Sequence, residues 1–233
     1  MTYVERLVAS PLVACTWERT TVEGHRQRVV PDACVDLIWS GDRLTIAGPD
    51  TAARVVALAA GSRVFGARLR PGAAGAVLGL PASELLDTSP DAADVLGHDA
   101  AEGLLERLSA GSDPHAELLR ALAVSGVRAP DPLVRAAVAA LGRPRARVVL
   151  VAAELGVSTR QLQRRLSDAV GYGPKMLARV LRFRRLQRLS PAPLVELALD
   201  AGYADQAHMT AEVTRLAGIP PVRFLKDWAP TVA

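Results

Sequence analysis

Lysine and cysteine are scarce in this chain. Of its 28 basic side chains only two, Lys175 and Lys226, are lysine. A GC-rich coding sequence produces that bias without functional cause, so arginine abundance alone carries no argument. The two cysteines, Cys15 and Cys34, are too few for a disulfide framework and fit a reducing compartment. No apolar run reaches the roughly 18 residues that a membrane-spanning helix needs. Glu5 and Arg6 break the N-terminus, which lacks the charged-then-apolar layout of a signal peptide. A cytoplasmic location is therefore expected. The sequence also lacks a glycine-rich phosphate loop, a G-x-S-x-G elbow and a usable pair of catalytic carboxylates, so neither enzymatic activity nor a cofactor is expected. Cys15, His25 and Cys34 share no finger or ribbon spacing, and no metal site is expected.

What is present divides in two. The chain has 233 residues and is half apolar, enough for a substantial core and long enough for two domains. Residues 1–130 sum to a net charge of −4 and residues 131–233 to +8. Genomic bias explains arginine over lysine, but not why acidic residues avoid the second half. A one-sided positive charge points to a polyanionic partner.

From Arg28 to Arg70, short and partly alternating apolar runs (VDLIW, LTIA, RVVALAA, VFGARLR) are separated by Ser40-Gly41-Asp42, Gly48-Pro49-Asp50 and Gly61-Ser62. That spacing predicts consecutive β-strands joined by tight turns. After Pro71 the period lengthens to three or four in AAGAVLGL, AAEGLLERL and HAELLRALAV, which predicts amphipathic helices. Gly and Pro concentrate in SGVRAPDP, Ser125 to Pro132, and place a boundary near residue 129. The expected fold is α+β: a small β-sheet or barrel with trailing helices over 1–129, then an all-helical domain over 130–233.

The chemistry concentrates in the helical part. In VAAELGVSTRQLQRRL, Ala152 stands four residues before Gly156, a small residue and a turn former in helix-turn-helix register. Ser158 with Gln161 makes a capping box that starts a second helix. Leu162, Leu166 and Val170 share its buried face, leaving Arg160, Gln163, Arg164 and Ser167 outward. Arg and Gln on such a face read guanine and adenine edges in the major groove. The syntax returns in LALDAGYADQAHMTAEVTRLAG, where Ala198 precedes Gly202 by four, Asp205 can cap, and Met209, Val213 and Leu216 form the stripe. Its outward side chains, Gln206, Ala207, Thr210 and Ala211, are a weaker set of base readers. Between the units, PKMLARVLRFRRLQRL predicts a helix started by Pro174, with Leu177, Leu181 and Leu189 on its apolar side and Lys175, Arg179, Arg182, Arg184, Arg185 and Arg188 supplying charge. Expected base readers are Arg160, Gln163 and Arg164, then Gln206 and Thr210; expected phosphate contacts are Ser158, Ser167, Lys175, Arg179 and Arg182.

The stretches AAELGVSTRQLQRRL, YGPKMLARVLRFRRLQRL and LALDAGYADQAHMTAEVTRLAGIPPVRF resemble the AraC/XylS family of bacterial transcription regulators. The resemblance implies two helix-turn-helix subdomains on a shared helix, binding double-stranded DNA in successive major grooves. It departs from the family at Val213, where Phe is usual, and at Ala211, where Arg is frequent. PDACVDLIWS and FGARLRPGAAGAVLGLPASEL resemble the sensing region of actinobacterial members, which implies a β domain for a small-molecule effector or for homodimer contact; RNA polymerase is a further implied partner.

Three residues of the first half remain open. Cys34 is expected as a buried cysteine, with a redox or alkylation sensor as the rival. Asp36 is either paired with an Arg such as Arg68 or turned to a ligand pocket. Two other readings of the whole stand beside regulation: an alkyl-accepting repair-type regulator using Cys34, and a ligand- or protein-binding module that does not regulate through DNA.

Overall fold

The computed structural model describes residues 2–124 and 129–227. Seven strands come first: β1 (Thr2–Leu7), β2 (Val13–Thr20), β3 (His25–Val29), β4 (Val35–Trp39), β5 (Leu44–Ala47), β6 (Arg54–Leu58) and β7 (Arg63–Leu69). They pair antiparallel as a five-stranded sheet of order β1-β2-β7-β4-β5 and a two-stranded ribbon of β3 and β6. Strands β4 to β7 lie where the alternating runs place them. β1 and β2 fall outside the expected range, because neither has a clean polar face. β1 is an edge strand that turns Glu5 toward Arg68 and leaves Val4 exposed, while β2 buries Thr16 and Trp17 on opposite faces. The indole of Trp17 lies flat against Gly66, where a Cβ would collide with it.

Helices α1 (Ala74–Leu78), α2 (Ala92–Leu96), α3 (His98–Ser109) and α4 (Pro114–Val124) follow, with a 3-10 turn over Ala82–Leu85. α4 packs on β7 and β2, and its Leu118 joins Leu37, Ile46, Leu69 and Leu104 in a core that excludes water. Full burial of each such side chain contributes about 1.5–3 kcal/mol.

Of the expected linker, Ser125 to Arg128 lie outside the described residues. The chain resumes with α5 (Pro132–Leu141), whose first turn is closed by Leu133 N–H donating to the Asp131 carboxylate at 2.9 Å. Then come α6 (Val148–Glu154), α7 (Thr159–Val170), α8 (Pro174–Leu186), α9 (Leu194–Ala201), α10 (Gln206–Ala217) and α11 (Pro221–Asp227). Their core holds Leu162, Leu166, Leu177, Phe183, Tyr203, Met209 and Val213, and it also takes in Val30 and Ala33 from the strand region. The two halves therefore meet. Arg28 donates to the Ala217 carbonyl at 2.7 Å, Ala53 N–H to the Leu216 carbonyl at 2.7 Å, and Arg184 to the Asp32 carbonyl at 3.0 Å.

Candidate nucleic-acid interface

The first unit is α6, a turn and α7. At the end of α6 the chain reverses through Gly156, whose φ of 66° is in the left-handed region that a Cβ disfavours. Val157 N–H then donates back to the Ala152 carbonyl at 3.0 Å, which satisfies one carbonyl that the helix end leaves open. Ser158 starts α7 with the full reciprocal cap: Gln161 N–H donates to its hydroxyl at 3.2 Å, and its own N–H donates to the Gln161 side-chain oxygen at 2.9 Å. Leu162, Leu166 and Val170 are buried, so the helix can present only one outer face, and Arg160, Gln163 and Arg164 are exposed on it. Gln163 donates to the Ser167 hydroxyl at 3.1 Å.

α9, its turn and α10 repeat this geometry. Tyr203 N–H donates to the Ala198 carbonyl at 2.8 Å across Gly202, which has φ 91°. Ala198 stands 46 residues after Ala152, but the capping residue Asp205 stands 47 after Ser158, so the second turn is one residue longer. Asp205 accepts from His208 N–H at 2.7 Å. Met209, Val213 and Leu216 are buried, and Gln206, Ala207 and Ala211 are exposed.

α8 joins the units, and Pro174 opens it at the first helical position. Its charges do two different things. Lys175 is exposed, with no partner among the described residues, and remains available to an anion. Arg182, expected as a phosphate contact, is instead turned inward: it donates to Glu212 at 2.7 Å, lies 5.3 Å over the Tyr203 ring and is 16% exposed. Arg179 reaches the other Glu212 oxygen at 3.2 Å and is 41% exposed, so one edge stays open. Arg185 donates to the carbonyls of Ala201 and Gly142, tying the C-terminal ends of α9 and α5 to α8. Sequence reasoning missed Glu212, which gathers Arg179, Arg182 and His208. Its signal is that it is the one carboxylate inside α10, four residues after His208.

In the strand region Asp36 and Arg68 are paired. Arg68 donates to both Asp36 oxygens, at 3.1 and 3.0 Å, and Trp17 Nε1–H adds a third donor at 3.0 Å. Burial pushes the Asp36 carboxyl up while Arg68 pulls it down, and three donors on two oxygens favour the ionised pair. Burial also works against the Arg68 charge, but Asp36 and Asp32 outweigh it and hold the guanidinium protonated. The Cys34 thiol is 5% exposed, and burial, with Asp32 beside it, pushes it well up despite Arg184 at 4.0 Å. Cys15 is likewise pushed up to about 11 by burial. Neither has the exposed, electropositive setting of a nucleophilic thiolate. Among the described residues no cluster of His, Cys, Asp and Glu could hold a metal, and no helix is long and apolar enough to cross a membrane.

Residues 8–91 match a family described as a domain of unknown function (DUF6597), and residues 151–227 match a family described as a helix-turn-helix domain. No curated protein matches the chain in sequence. Among solved structures, the apo form of a ToxT variant from Vibrio cholerae that carries one lysine-to-alanine substitution is similar at 10% identity over 96% of this chain and 100% of that one, with a TM-score of 0.49. The unsaturated fatty acid-bound form of ToxT is similar at 8% identity over 96% and 98%, with a TM-score of 0.48. With two capped turn–helix units around the arginine-bearing α8, residues 151–227 are an AraC-type helix-turn-helix domain, the kind that DNA-binding transcription regulators carry.

Proposed function

We propose that this protein binds specific double-stranded DNA through both units, α6–α7 and α9–α10, and thereby regulates transcription. The observation that carries this reading is the repeat itself: two turns closed by the same backbone bond, each leading into a capped helix with one buried and one exposed face. α8 holds the units so that α7 and α10 enter successive major grooves. Arg160 and Arg164 supply base contacts, and Lys175 with the open edge of Arg179 supplies phosphate contacts. Residues 1–129 act as the sensing domain. A cleft of about 530 Å³ between β2, β7 and the α3–α4 loop, lined by Arg6, Glu18, Trp39, Phe65 and His115, is large enough for a small effector.

The test is a set of salt titrations with the full chain on a selected site and on random DNA. Arg164→Ala should weaken the selected site by about 1–3 kcal/mol and random DNA far less. Lys175→Ala should weaken both alike and lower the salt slope by about one unit. Arg182→Ala should leave the slope alone and lower the unfolding midpoint, because it removes the donor to one Glu212 oxygen and the guanidinium packed over Tyr203. If Arg164→Ala weakens both DNAs by one factor, α7 is not a base-reading helix.

A further inference from the structure

We propose that the two reading helices use different chemistry, α7 reading bases by hydrogen bonds and α10 reading thymine by apolar contact of Ala207, Thr210 and Ala211 with its C5-methyl group. This rests on the reading above, in which α10 lies in a major groove. What makes these residues a site is their place on the second helix of a helix-turn-helix unit, at positions fixed by the first unit.

The caps Ser158 and Asp205 set the two helices in register, 47 residues apart. In that register Leu162 matches Met209, Leu166 matches Val213 and Val170 matches Ala217, and all six are buried. The same step carries Arg160 to Ala207, Gln163 to Thr210, Arg164 to Ala211 and Ser167 to Thr214. Each long polar reader of α7 thus becomes a side chain that ends in a methyl group. The outer face of α10 is accordingly a shallow open depression lined by Gln206, Ala207, Thr210, Ala211 and Thr214. With only Gln206 reaching beyond these short side chains, this face can sit closer to the base edges than that of α7.

The Thr210 hydroxyl donates to the Gln206 carbonyl at 2.9 Å, so its proton is used within the helix and its methyl remains for a ligand. Charge is also kept away: Glu212 is held by Arg179, Arg182 and His208. Thymine alone among the four bases carries a methyl group in the major groove, whereas a cytosine amino group pressed against Ala207 or Ala211 would be desolvated without an acceptor. Gln206 keeps an amide suited to the adenine paired with such a thymine.

The experiment selects a site from random DNA with the full chain, then replaces each thymine in turn by deoxyuridine, which removes only the methyl. Affinity should fall about fourfold per methyl, the effect of one buried methylene-sized group, at thymines confined to one half of the site. Thr210→Ser, which also removes one methyl and keeps the hydroxyl, should abolish the sensitivity at one of those thymines. Uracil tolerated throughout, or effects of Thr210→Ser and deoxyuridine that simply add at every thymine, would overturn the proposal while leaving sequence-specific binding intact. A selection that enriches no sequence overturns the proposed function, and this inference with it.

Discussion

His115, at the start of α4, is 6% exposed, with Nδ1 2.9 Å from the Thr16 hydroxyl and Nε2 3.8 Å from Glu18. Burial, reinforced by Arg6, lowers its pKa below the ordinary 6.5, against the pull of Asp113 and Glu18. The unfolded chain then takes up a proton that the folded chain refuses, so stability falls as the pH drops through 6.5 toward the folded pKa. Urea midpoints taken from about pH 7 down to about pH 5.5 should decline, and His115→Gln should flatten the decline. An unchanged slope in the variant would place the titration elsewhere. Glu18 acts in the same direction but in a lower pH window: its hydrogen bond from Arg63 holds its carboxyl below the ordinary value, so its contribution is lost only as the pH falls further. Arg182 makes a related point about single residues. Its spacing on α8 is that of an exposed cation, and the partner that claims it stands 30 residues away on another helix. A charge pattern along one helix says nothing about what the next helix brings to it.

At the scale of elements, the two turns test how much local geometry decides. Gly156 and Gly202 both have left-handed backbone, but a Cβ at Gly156 would meet nothing within 4 Å, whereas at Gly202 it would lie 3.2 Å from Pro144 Cα and from Arg145 N. Gly156→Ala should therefore cost about 1 kcal/mol, the conformational term alone, and Gly202→Ala measurably more. Urea denaturation of the two variants decides; equal losses would mean that the Pro144–Arg145 loop moves aside freely. Both turns were legible in the sequence because every signal they use, small residue, glycine, cap and stripe, falls within about twenty residues and belongs to one period. β1 and β2 were not: β2 has both faces occupied and loses its alternation, while β1 is an edge strand that leaves the apolar Val4 and Leu7 exposed. The choice between a pair and a pocket for Asp36 depended on strand register. β4 and β7 set Asp36 directly opposite Arg68, a relation 32 residues long that no local pattern contains. Likewise, the exposed face of α7 could be read from periodicity, whereas the internal use of Arg182, Arg184 and Arg185 could not.

At the scale of the whole molecule, the first half of the chain holds both α7 and α10 by their C-terminal ends. α7 packs on α1 and on the 3-10 turn, and Gly171 just beyond it sits so close to Pro49 that a Cβ would fall 2.5 Å from its ring. α10 is held by Arg28, whose charge also suits the negative end of the helix dipole, and by the Ala53 N–H. The spacing of the units thus depends on the first half of the chain as well as on α8. Arg28→Ala combined with Ala53→Pro should speed amide exchange through α10 while leaving α3 and α4 protected. Uniform acceleration would mean that the molecule opens as one body. The bond from Ala53 to Leu216 has a property that the bond from Arg28 lacks, for both of its partners are main-chain atoms. Any residue except proline supplies that N–H, and every residue supplies that carbonyl. Side chains along the seam can therefore drift over generations while this one tie between strand region and α10 is passed on unaltered.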